Sequence, residues 1–225
     1  MSKRKNNLFA LGIIVIGFGV ILAYSSVDNS LSYEDEKYIP LYLKDVLPLS
    51  EKPKYEDELQ YIISVQRAVL AIAPGQDGLP VGQEREPMDL YVAKTGLCFD
   101  RSRVIEKILR YAGFETRHIF ILSTKNSSAI KSLFSRGVSS HAVTEVLTRK
   151  GWLVVDANDP WVSINGNGLP VPIDEIQFSD LRMPARIYEE PFVYVYGLYS
   201  RHGKFYPPYN AIPDIEYSEF VQNLF

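Results

Sequence analysis

The sequence predicts an α+β domain in which a helix bearing the chain's one cysteine packs on an antiparallel β-sheet, behind one N-terminal transmembrane helix. Three observations carry this reading. Apolar residues recur at helical spacing over Tyr55–Ala73 and over Val104–Ala112. Runs rich in β-branched and aromatic residues at Thr116–Leu122, His141–Leu147 and Trp152–Asp156 read as strands. An uncharged stretch, Leu8 to Ala23, follows Lys3, Arg4 and Lys5.

The apolar stretch is near the short end of a membrane span, and Tyr24 and Ser25 extend it into the interface. A cleaved signal peptide is the competing reading, with Ala23-Tyr24-Ser25 as a small-x-small site. The apolar run exceeds the usual ~7–15-residue signal core, so a retained anchor is favoured. Either reading puts the remainder on the extracytoplasmic side by the positive-inside rule. The division expected is a basic cytoplasmic start over residues 1–7, an anchor over 8–24, a tether over 25–54 with room for a short packed piece at Ile39–Val46, and a folded domain over 55–225. The chain is 46% hydrophobic with net charge −3, and without its three N-terminal cations it is more acidic still. That balance suits a packed core and argues against nucleic acid as partner.

Within the first helix, Leu59, Ile62, Ile63, Gln66, Val69, Leu70 and Ala73 form one stripe, and Gln66 is its polar member. A buried amide satisfied by backbone groups explains it most simply. The sharper reading makes Gln66 a donor to an oxyanion. Pro74–Pro87 is loop by its Gly, Pro and Gln content. Thr95 and Gly96 then break the chain before Cys98, and Val104, Ile105, Ile108, Leu109 and Ala112 share a helical face that Gly113 ends. A thiol in a helix's first turn faces unpaired N–H groups and the positive end of the dipole, which favour the nucleophilic thiolate. The plain alternative is a small apolar residue packed under a helix.

Downstream lie His141, opening one strand, and Asp156, ending the next. Covalent catalysis by cysteine needs this set: a thiolate that attacks, an imidazole that moves the proton, and a carboxylate that orients the imidazole. Asp159 lies near the same strand end, but Asp156 closes the apolar run after Trp152. For His141 and Asp156 to be directly opposed, the hairpin must turn between Thr148 and Arg149. The turn cue at Arg149-Lys150-Gly151 sits later, so an even-length loop centred earlier, or a bulge, is expected.

Three segments, G-x-C with its amphipathic helix and the YAGFETRHIFI strand, then HAVTEV, then GWLVVDAN, resemble the core of the transglutaminase-like superfamily over roughly residues 55–160. The resemblance implies a papain-like architecture, with Cys98 as nucleophile, His141 as base and Asp156 as orienting group. It also implies an enzyme that attacks an amide or ester carbonyl and passes through a thioester, as hydrolase or transamidase. Val143 stands where the family often has an aromatic residue. The rival class is an inactive module of the same fold that binds a peptide or glycan in an envelope assembly. The partners expected are a protein, peptide or envelope-polymer substrate and the membrane. No cofactor is expected, and no residue cluster has metal-ligand spacing.

In the rest of the chain, His118 reads as a residue on a strand face and His202 as a solvated turn residue. Glu145 pairs with Arg101 or Arg117 or faces solvent. A helical turn is expected near Ala129–Phe134, a strand over Phe192–Tyr199, and a further strand over Lys204–Tyr206. Trp161 and the tyrosine-rich tail cover the core rather than line a site.

Overall fold

The computed structural model describes residues 17, 19–22, 24–75, 77–80, 85–133, 135, 137–199 and 214–224. Most of the expected membrane span lies outside them, as do His202 and the Lys204–Tyr206 strand. Among the described residues no helix is long and apolar enough to cross a membrane. The elements in order are α1 (Tyr33–Tyr42), a 3₁₀ turn (Leu43–Asp45), α2 (Tyr55–Ile72), α3 (Pro87–Ala93), α4 (Cys98–Tyr111), β1 (Thr116–Ser123) and α5 (Ala129–Leu133). They continue with β2 (Ser140–Thr148), β3 (Gly151–Val155), α6 (Ile173–Ile176), α7 (Arg186–Glu189), β4 (Phe192–Tyr196), β5 (Leu198–Tyr199), β6 (Asp214–Ile215), α8 (Tyr217–Phe220) and a last 3₁₀ turn (Val221–Leu224).

The main sheet is antiparallel throughout, in the order β3-β2-β1-β4, and β5 pairs with β6 in a small second sheet. Alternation along the strands gives the sheet two apolar faces. Val146, Leu153 and Val155 pack on Val104, Ile105, Ile108 and Leu109 of α4, with Ile62, Val65 and Val69 of α2. Ile119, Ile121, Val143 and Val154 point the other way, onto Ile173, Ile176, Tyr188 and Phe192. The expected stripe on α2 is rotated slightly. Tyr61 and Val65 are buried, whereas Leu59 and Ile63 are only partly so.

Helix α4 has defined ends. The Asp100 carboxylate accepts from Leu97 N–H at 2.9 Å and from Leu79 N–H at 3.2 Å. Gly113, at φ +88°, closes the other end. Its N–H bonds the Arg110 carbonyl, and Phe114 N–H bonds the Leu109 carbonyl. This double closure needs a left-handed residue, so glycine fits. Gly96 is required for another reason: a Cβ there would lie 2.6 Å from Leu90 Cδ1.

Within residues 25–54 the packing reaches beyond the short piece expected at Ile39–Val46, back to Ser26. Ser26 bridges Ile215, Val27 N–H bonds the Ile215 carbonyl, and Ile39 and Tyr42 enter the main core. The physical reason lies on the charged side of α4. Arg103, Glu106 and Lys107 cannot be left under apolar cover without partners. Lys107 Nζ lies 2.6 Å from Asp35 and 2.5 Å from Glu86. Arg103 donates to Glu86, to the Asp28 carbonyl and to Asn29. Glu106 accepts from Tyr199 Oη at 2.7 Å and from Asn29. The N-terminal segment, with Glu86 and Tyr199, therefore closes over the charged side of α4 as a polar lid. The Phe192–Tyr199 strand is also split. Gly197, at φ +67°, turns the chain between β4 and β5, and a Cβ there would meet the Glu216 carbonyl at 2.5 Å.

Asp35→Ala leaves the Lys107 ammonium buried with one carboxylate instead of two. It is expected to lower the unfolding free energy by about 3 kcal/mol, the scale of breaking a buried pair, in a denaturant titration of the folded chain.

Candidate active site

The Arg149-Lys150 loop has two residues, and it sets the register of the β2–β3 hairpin. Thr144 pairs with Val155, so continuing the ladder by one residue sets Asp156 opposite Val143. Val143 and His141 are two apart on β2 and share a face. His141 and Asp156 thus meet diagonally across the hairpin, not as the directly opposed pair the sequence suggested. The loop has the expected even length, but it is centred one residue later than direct opposition needs. A shift by two residues keeps both side chains on one face; a shift by one would have separated them.

His141 Nε2 lies 2.8 Å from Asp156 Oδ2. That leaves Nδ1 as the ring nitrogen for Cys98, and the thiol and the imidazole are near enough for each to shift the other's pKa. Cys98 is half-buried, at the first position of α4, beside the start of β2. Burial pushes its pKa up, but the nearness and positive charge of His141 outweigh this, aided by the backbone of Ala142 and Phe99. The thiol ends below its ordinary value. Burial alone would lower the His141 pKa. The Asp156 charge and hydrogen bond, with Cys98, raise it to about 10. Near neutral pH this combination favours a thiolate beside an imidazolium.

Asp156 is fully buried. Burial penalises its charge, but His141 and further donors hold its pKa below the usual carboxylate value. Oδ2 also accepts from Tyr188 Oη at 2.6 Å, and Oδ1 accepts from Asn158 N–H at 2.7 Å and Asp159 N–H at 2.8 Å. Of the two aspartates at this strand end, Asp156 is the one that reaches His141. Asp159 serves it through its backbone.

Tyr188 is the residue that sequence reasoning missed. Its ring stands edge-on to His141, 5.8 Å between centroids at 87°, while its hydroxyl closes on Asp156. Burial, then the Asp156 charge, pushes its pKa well above the ordinary phenol value, so it remains a donor. It comes from a four-residue helix in a stretch with no periodic pattern, where no local signal marks it. Trp161 packs on Tyr188 at 5.4 Å and donates to the Arg182 carbonyl, which is the covering role expected of it.

Gln66 is corrected. Its Nε2 donates to the carbonyls of Asp156 at 2.8 Å, Asp159 at 3.1 Å and Trp161 at 2.7 Å. An amide nitrogen has two hydrogens, and three acceptors already share them. Gln66 therefore has no donor left for an oxyanion, and it holds the loop that presents Asp156. A second donor for an oxyanion is the Cys98 backbone N–H, which sits in the first turn of α4, where helix geometry supplies no internal acceptor.

Glu145 pairs with Arg117 at 2.7 Å, on the face away from α4. His118 is fully buried, stacked on Tyr199 at 4.0 Å and edge-on to Phe99. Burial, with the nearby Arg103 charge, depresses its pKa to about 3, so it stays neutral and takes no part in the triad. Among the described residues no group of three or more His, Cys, Asp or Glu side chains is placed to hold a metal.

With this geometry in place, comparison with known proteins is informative. Residues 50–157 match the family model of the transglutaminase-like superfamily, just under half of the chain. A crystal structure of a Cytophaga hutchinsonii protein, described as a candidate cysteine protease, aligns over 65% of this chain with 16% identity and a TM-score of 0.40. The alignment spans 48% of that protein. No curated protein matches the chain.

Gln66→Leu leaves three carbonyls without their shared donor. It is expected to lower the unfolding free energy by about 2 kcal/mol, measured by denaturant titration. An oxyanion donor would instead give a variant of unchanged stability that turns over slowly.

Proposed function

We propose that the chain is a membrane-anchored, extracytoplasmic cysteine enzyme that acts on amide or ester bonds through a thioester acyl-enzyme. The observation that carries this is the His141 imidazole, 2.8 Å through Nε2 from the buried Asp156 carboxylate, acting on the half-buried Cys98 thiol at the start of α4 so as to lower its pKa.

In this reading the Cys98 thiolate attacks the carbonyl carbon. The oxygen gains negative charge and is met by the Cys98 N–H. Imidazolium His141 gives its proton to the leaving amine or alcohol as the tetrahedral carbon collapses to the thioester. Neutral His141 then takes a proton from the incoming water, in a hydrolase, or amine, in a transamidase. Asp156 stays ionised throughout and holds the ring with Nδ1 toward sulfur. The acyl substrate is a protein, peptide or envelope polymer near the membrane.

Cys98→Ala is expected to abolish covalent turnover and His141→Ala to do nearly the same, because the members act as a unit. Asp156→Ala is expected to leave more residual activity. Cys98 alkylation measured against pH gives the sign of the underlying shift. With its pKa depressed, the thiolate persists as pH falls below about 8.5, where a free thiol is already protonated. His141→Ala removes the stabilising cation and moves the midpoint upward. Turnover fails again as pH rises through about 10, where His141 loses the proton it must donate. A Cys98 that titrates like a free thiol and ignores His141 sinks this reading in favour of an inactive peptide- or glycan-binding module.

The anchor rests on the uncharged Leu8–Ala23 run behind three cations. Protease added to cells with a permeable outer layer is expected to digest the domain. Protection equal to that of a cytoplasmic marker refutes the topology.

A further inference from the structure

Every buried Arg or Lys side chain among the described residues except Arg101 has a carboxylate oxygen within salt-bridge distance. Arg85 has Asp100, Arg103 has Glu86, and Lys107 has Asp35 and Glu86. Arg101 is 1% exposed and meets no carboxylate within that distance. Its guanidinium donates to the Ala73 carbonyl at 2.9 Å, to the Gly75 carbonyl and to Asn158 Oδ1 at 2.8 Å. These contacts satisfy hydrogen bonding but leave the charge without a counter-ion in contact. Burial accordingly lowers the Arg101 pKa, against the more distant charges of Cys98, Asp100 and Asp156.

Arg101 also lines a cleft of about 350 Å³ with Arg67, Leu70, Pro74, Asn158 and Pro160. Arg67 stands exposed at the rim, with no ion pair among the described residues. The cleft lies between the two loops that flank the triad. One holds Gly75, whose carbonyl accepts from Gly96 N–H just ahead of Cys98, and the other begins at Asp156. Arg101 follows Cys98 by three residues and so lies on the same side of α4.

We propose that this cleft is a subsite for a carboxylate on the acyl substrate, with Arg101 as its buried floor and Arg67 as its rim. The proposal rests on the reading of Cys98 as the nucleophile that is acylated. Two cations beside an apolar wall of Leu70, Pro74 and Pro160 suit an acidic side chain or a chain-terminal carboxylate on a short aliphatic stem.

The test needs no knowledge of the substrate. Cys98 is reacted with two aryl disulfides of similar size, the nitrobenzoate disulfide, which bears a carboxylate on each ring, and the neutral dithiodipyridine. The expected result is a rate ratio that favours the anionic reagent, falls with added salt, and drops about tenfold in Arg67→Glu while the neutral reagent's rate is unchanged. Arg67 is exposed, so this variant folds. Arg101→Gln, if it folds, is expected to lower the ratio further. A ratio unmoved by Arg67→Glu, with Cys98 still reactive at low pH, overturns the subsite and leaves the cysteine-enzyme reading standing. A Cys98 that behaves as a free thiol toward both reagents overturns that reading and the subsite with it.

Discussion

The site depends on one buried carboxylate. Asp156 is fully enclosed and ionised, which is costly unless its oxygens are filled by donors. Four are supplied: His141 Nε2, Tyr188 Oη and the N–H groups of Asn158 and Asp159. A carboxylate has about four lone-pair sites, so the group is saturated. The requirement propagates outward. The 156–161 loop must curl back to offer two amides, and its own carbonyls are then drawn onto Gln66 of α2. Tyr188 must come in from the far side of the sheet. The imidazole bonded to this carboxylate has one nitrogen left, and it faces the helix start that holds Cys98. Parts from α2, α4, β2, the loop after β3 and α7 are thus fixed by one ionised group.

What could be read from the sequence follows from the same physics. The α4 helix and the three strands were visible because burial on a sheet imposes periodicity, and their bounds fall close to those expected. Cys98, His141 and Asp156 stand at element ends, where a local break marks them. Their meeting was legible only as far as register. An even loop was inferable from the need to keep His141 and Asp156 on one face. Direct or diagonal approach depends on where the two-residue turn settles. Tyr188 could not be found, since a donor recruited by a buried charge from a short irregular segment leaves no repeat behind it. Gln66 stood out as a polar residue in an apolar stripe, yet the stripe does not say which acceptors it faces.

The packing of the segment before α2 has a related cause. Read alone, residues 25–46 are polar, with an acidic cluster at Glu34, Asp35 and Glu36, and such composition suggests a solvated link. Helix α4 supplies the missing half of the pattern. Its charged side carries Arg103, Glu106, Lys107 and Arg110, and these find partners in Asp35, Asn29, Glu86 and Glu219. Charge complementarity between segments some seventy residues apart has no signature in either segment by itself. It also fixes how near the membrane the active centre sits if the Leu8–Ala23 anchor is retained. Val27, only a few residues past that run, packs against the cluster that contains Phe99 and Cys98.

This closeness and the unpaired charge of Arg101 bear on the same question of what the thiolate meets first. With a retained anchor, as proposed, the folded N-terminal segment would leave little slack between bilayer and domain, and the substrates in reach would be those presented at the surface. The polar lid over α4 is closed to charge, because its cations and anions neutralise one another pairwise. The Arg67–Arg101 cleft differs because its charge is left over after the protein's own groups are paired. A buried guanidinium with no carboxylate in contact gains more than the paired cations do from a counter-charge brought in from outside, and in the proposed subsite that counter-charge is a carboxylate carried by the acyl substrate.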